Sequence, residues 1–306
     1  MRTQSLLSLS FCAVALLVLY GCAELQEPSP EPVAPGIVVH PSGWSDPASP
    51  NFHGQAIAAN SWDMRQCRTC HGQTYAGGAV GVSCLTCHTK PAGPENCTTC
   101  HGSVNAAPPK DLSDNTSTTA RGVGAHQVHL VGPRTLSSAT ITCSDCHHVP
   151  ATVYDPGHVD SPLPVEVAIN SPMAKTPSGG QTPSPKYDYA TGKCSNTYCH
   201  GAWRLPKAGA DSRSQGLFAD SVMTGNFYAP VWNGGKAQAA CGTCHGSRVV
   251  STGDTTYVPM GHVVILGLKA CVSCHSPVVD GIGSIADPSK HINGKVNVFG
   301  EEHDFR

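Results

Sequence analysis

The stretch CRTCHGQTYAGGAVGVSCLTCHTKPAGPENCTTCH, residues 67–101, sets two cysteines and a histidine in the order C-x-x-C-H three times in succession. Cys67, Cys70 and His71 open it, Cys84, Cys87 and His88 follow, and Cys97, Cys100 and His101 close it. The same order returns as Cys143, Cys146 and His147, as Cys241, Cys244 and His245, and as Cys271, Cys274 and His275. A seventh instance is stretched: in CSNTYCH, Cys194 and Cys199 are separated by four residues, and His200 still follows. Of the 16 cysteines, only Cys12 and Cys22 fall outside these motifs.

The spacing has a specific chemistry. In C-x-x-C-H the two thiols add across the two vinyl groups of one heme, and the histidine beside the porphyrin face brings an imidazole nitrogen to the iron. One motif is a moderate signal, whereas seven that use every cysteine outside the N-terminus point to seven heme c groups. Zinc ribbons also use C-x-x-C pairs, but a tetrahedral sulfur site does not require a histidine after every second cysteine. A redox disulfide within C-x-x-C normally sits in a βαβ setting, and no such pattern accompanies these motifs. For Cys194 and Cys199 a disulfide competes more strongly, because the spacing is unusual.

Composition agrees with a fold built around cofactors. Charged residues are 13% and aromatics 6%, while Gly 32 and Pro 25 imply many turns and loops. No long stretch carries the 3.6-residue apolar period of a substantial helix, and strand-like runs are brief, Val263 to Leu266 being an example. The expected fold class is mostly irregular, with short helices and few short strands: a multiheme cytochrome c fold organised around a packed heme array. The net charge of −2 and the lack of a basic cluster give no reason to expect nucleic acid as a partner.

Four segments follow from the pattern. Residues 1–21 have the basic start and short apolar run of an export signal. The end of that run, Leu19-Tyr20-Gly21-Cys22, resembles a lipobox, which makes Cys22 a lipidation site, and Ala23 after it points to the outer membrane; with Tyr20 bulkier than usual, simple secretion is the alternative. Residues 22–50 hold the lipidated N-terminus and a proline-rich tether. Residues 51–121 form a triheme block, and residues 122–306 a tetraheme block that includes the stretched motif.

The chain resembles the outer-membrane and extracellular multiheme cytochromes of dissimilatory metal-reducing bacteria, in the group that pairs a CxxxxCH motif with downstream CxxCH motifs. The resemblance rests on CSNTYCHGAW (194–203), PVWNGG (230–235) and CGTCHG (241–246), with HPSGW (40–44), NFHG (51–54), GAHQVHL (124–130), PGHVD (156–160) and HINGKVNV (291–298) around them. It implies heme on the stretched motif as well. It also implies electron traffic with other redox proteins, including a porin-cytochrome complex, and attachment to the membrane through a lipid anchor.

Iron held by two protein ligands carries electrons, whereas iron lacking its sixth ligand binds substrate. Of 16 histidines, nine lie outside the motifs: His40, His53, His126, His129, His148, His158, His262, His291 and His303. Seven irons need seven distal ligands. The preferred set is His40, His53, His126, His129, His158, His262 and His291, since His148 adjoins His147 and His303 lies near a chain end. Met64, Met173, Met223 and Met260 are alternative ligands. Only His40 and His53 precede the triheme block, so its third iron needs a ligand from beyond it, with His126 or His129 expected to reach back. The favoured function is an electron carrier, without catalytic residues, between periplasmic or membrane donors and an outer acceptor. Its rivals are a reductase with one five-coordinate heme, and a structural subunit of a heme filament or porin complex.

Overall fold

Short elements dominate, because the motif turns and frequent glycines interrupt every run before a long helix or sheet can form. The protein is described from a computed structural model covering residues 39–304, apart from 103, 133–134, 161–164, 241, 247, 250–254, 266, 268–269 and 282–283. The export signal, Cys22, most of the tether and Cys241 therefore lie outside the described residues.

Among the described residues the longest helix is α1 (His53–Ala59), and the others span one turn or little more. These are α2 (Arg68–His71), α3 (Cys97–Cys100), α4 (His126–Leu130) and α5 (Val272–His275). Strands occur as antiparallel ribbons of two. β1 (Lys186–Asp188) pairs with β2 (Lys193–Ser195), β3 (Arg204–Pro206) with β4 (Val222–Thr224), β5 (Arg248–Val249) with β6 (Thr255–Thr256), and β7 (Lys295–Val298) with β8 (Glu301–Asp304). The run at Val263–Ile265 is no strand; His262 makes only an isolated bridge to Phe218, and Val263 N–H donates to the Leu217 carbonyl.

Two compact units divide the chain, one ending at Pro94 and the other running from Glu95 to Arg306. The spacing of motifs groups Cys97–His101 with the two motifs before it, whereas the packing sets it in the second unit. The first unit thus holds two motifs and the second holds five. The first unit buries Met64 and Tyr75. The second buries Val123, Ala174, Tyr198, Ala202, Phe218, Met223, Val258, Val278 and Val298, and of these only Val123 is almost fully enclosed among the described residues. Side chains alone make a thin core for a chain of 306 residues. No helix among the described residues is long and apolar enough to cross a membrane.

Candidate heme sites

Among the described residues four of the standard motifs are each one tight turn. The N–H of the motif histidine donates to the carbonyl of the first cysteine in His88 to Cys84 (2.9 Å), His101 to Cys97 (2.9 Å), His147 to Cys143 (2.9 Å) and His275 to Cys271 (2.8 Å). A single helical turn places residues i and i+3 on one face, so both thiols reach the same side with the imidazole next to them. The glycines that trail four motifs have a steric reason. Gly201 sits at φ +93°, and a Cβ there would run into the carbonyl oxygen of Cys244; Gly246 sits at φ +108° against the carbonyl of Val258. Both are positions where only glycine leaves the turn close to its neighbour.

The stretched motif is built differently. Cys194 lies on β2, paired with Tyr187, and its N–H donates to the Pro230 carbonyl at 3.0 Å. Asn196 then turns the chain with φ +54°, a left-handed conformation that asparagine accepts, and the 3-10 turn Tyr198–His200 presents Cys199 and His200. A strand followed by a turn absorbs the two extra residues. Burial pushes the Cys194 thiol up to about 11 and the Cys199 thiol up to about 12, and holds the His200 imidazole down to about 4. Both stand as free thiols, with no disulfide between them.

Opposite the motif histidines stand other histidine rings. Two imidazoles on opposite faces of one metal put their centres about 6 Å apart, from bonds of about 2 Å and about 1 Å from each nitrogen to its ring centre. The observed separations are 6.1 Å for His40 and His71, 6.1 Å for His53 and His88, 5.9 Å for His158 and His101, and 6.2 Å for His126 and His147. His129 and His200 lie at 6.4 Å, and His262 and His275 at 6.5 Å. His245 is held below its ordinary range by burial first and then by the charge of His291, which makes His291 its neighbour.

Ring orientation agrees. In His53, His71, His126, His129, His147, His158, His245, His262, His275 and His291, Nδ1 lies at hydrogen-bond distance from a backbone carbonyl oxygen. A carbonyl only accepts, so Nδ1 carries the proton and the lone pair is on Nε2, the tautomer a metal ligand needs. Apolar side chains in or next to the motifs are left exposed: Val82, whose carbonyl holds His71, and Leu85 within the second motif. An apolar disc between each pair of rings would cover them, so the residues present fit heme c.

The ring beside His101 is His158, not His126 or His129. The reason is helix geometry: α4 carries His126 and His129 at i and i+3, on one face, and sends them to the fourth and fifth motifs. Trp232 fixes that face. Its indole lies edge-on to His126 at 4.8 Å and stacked on His129 at 5.6 Å, while its N–H donates to the Arg121 carbonyl at 3.0 Å. Gly124, at φ +42°, leaves room for it, since a Cβ there would overlap the indole nitrogen. The spacing of GAHQVHL and PVWNGG gave no sign that the two blocks pack together.

The two remaining histidines lie near carboxylates. His303 Nε2 lies 3.8 Å from Glu301 and 4.0 Å from Asp211, and His148 is the last of the neighbours that hold the Asp155 carboxyl below its ordinary range. Of the methionines, Met64 and Met223 are core side chains, and Met260 is exposed.

Residues 193–245 match the family described as the Geobacter CxxxxCH...CXXCH motif. Over that segment the chain is similar to proteins of the CxxxxCH/CxxCH cytochrome type. The matched segment runs from β2 through the stretched motif and Trp232 to His245, and the CxxCH motifs of the chain imply covalently bound heme c. No curated protein and no solved structure matches the chain.

Proposed function

We propose that this chain is a multiheme electron carrier that holds seven heme c groups, each attached through one motif and ligated by the histidine ring facing it. When bound, each heme supplies a one-electron couple at its iron. The single observation that carries the reading is the second ring opposite each motif histidine, which leaves no position for substrate and so favours a carrier over a reductase.

The motifs also follow one another in space within each unit. In the first, Cys84 is a close neighbour of Cys67. In the second, His101 feels His147, Cys194 and Cys199 feel Cys146, Cys199 feels Cys244, and His245 feels His275. The third to seventh sites are thus neighbours in chain order, as a conduit requires. Adding carbon monoxide to the reduced holoprotein tests the carrier reading: little should bind, and one equivalent taken up rapidly would replace the carrier with a reductase.

The same proposal places the protein at the outer membrane through lipid on Cys22, exchanging electrons with other redox proteins or a porin-cytochrome complex. Cys22→Ser should move the holoprotein from membrane to soluble fractions with its heme spectrum unchanged. Retention in the membrane would assign attachment to a protein partner.

A further inference from the structure

Among the described residues one histidine ring nitrogen is buried with no hydrogen-bond partner: His200 Nδ1, in the stretched motif. The contrast with its neighbours is sharp. In the pairs His126 with His147, His245 with His291 and His262 with His275, both rings give their Nδ1 proton to a carbonyl. Opposite His200, His129 does so as well, to Ala125 at 2.9 Å. A carbonyl drawing on the Nδ1 proton makes the imidazole a stronger donor and favours the more positive, oxidised iron. His200 lacks that effect; His40, His88 and His101 are likewise not among the carbonyl-held rings, but of the described histidines only His200 has this nitrogen enclosed, away from water as well.

Burial acts in the same direction. Tyr198, Thr197, Gly201 and Ala202 around the motif are all buried, and the Thr197 hydroxyl is itself enclosed without a partner. Water-poor surroundings penalise the extra positive charge of the oxidised state. We infer that the heme held by Cys194, Cys199 and His200 has the highest reduction potential of the seven. This rests on the carrier reading above and deepens it: the site is third of the five in the second unit, so the first electron to enter that unit settles at its centre.

Potentiometric titration of the purified holoprotein, followed by low-temperature electron paramagnetic resonance, tests this directly. The component belonging to the stretched motif is the one missing from the Cys194→Ala/Cys199→Ala double variant. Where that variant does not accumulate, it is the low-spin component displaced by His129→Met. It should be the first of seven to be reduced as the potential is lowered. Reduction of any other component first overturns the inference while leaving a seven-heme carrier intact. A mass with six hemes and none on Cys194 and Cys199 overturns both.

Discussion

Trp44 in the first unit and Trp232 in the second each lie against two histidines that face successive motifs, yet the two arrangements are built from different parts. Trp44 stacks on His40 at 4.4 Å and 6°, and stands 6.3 Å from His53, which belongs to a separate element, α1. His53 is held by the Trp44 backbone carbonyl at 2.9 Å, not by the indole. Trp232 touches both rings with its indole, and both rings come from the single helix α4. Two segments joined through the Trp44 carbonyl present the distal ligands in the first unit, whereas one helix and one indole present them together in the second. The second unit is therefore the one in which a local change should reach two sites.

The largest effect expected from this difference concerns removal of a motif. Cys194→Ala with Cys199→Ala takes the heme from a site of the second unit where Tyr198 and Ala202 form part of the thin core. Because a bound group that only the folded state holds contributes to stability, that variant should lose one heme by mass and much of its thermal stability. Cys67→Ala with Cys70→Ala should also lose one heme, with the five-motif unit still melting as before. Equal losses of stability in the two variants would erase the distinction between the units.

Smaller, and confined to spectra, is the effect of deleting a distal ring. His40→Ala and His129→Ala should each convert one heme to high spin, and His148→Ala and His303→Ala none, because each motif histidine already has another ring as its neighbour. A high-spin signal from His148→Ala would break the pairing scheme. The smallest effect sharpens the comparison most. Trp232→Ala should shift two low-spin signals and Trp44→Ala one, each stacking or edge contact being worth about 0.5–1.5 kcal/mol. Two shifted signals from both variants would make the two tryptophans equivalent.

Much of the site was legible beforehand because covalent attachment is written in local spacing. C-x-x-C-H forms its geometry within one turn, so Cys143 to His147 or Cys271 to His275 could be read without knowing what surrounds them. The shortness of helices and strands was equally visible, since glycines and prolines interrupt every periodic run. Distal histidines could be named as candidates by count and position, but their partners could not. Which ring meets which motif depends on the i, i+3 face of α4, on Gly124 admitting an indole, and on His158 folding back within the second unit.

What the sequence by itself determined is therefore the attachment chemistry, the number of candidate motifs and the irregular character of the fold, all of which depend on residues a few positions apart. Only the tertiary structure decided that Cys97–His101 packs with the motifs after it, that His158 and not His126 faces His101, and that His200 alone among the described histidines buries its Nδ1 without a partner. These are outcomes of contacts between residues far apart in the chain, where packing rather than spacing selects the neighbour. Hydrogen bonding and exclusion of water at each ring follow from that packing, and they separate seven sites that share nearly the same local motif.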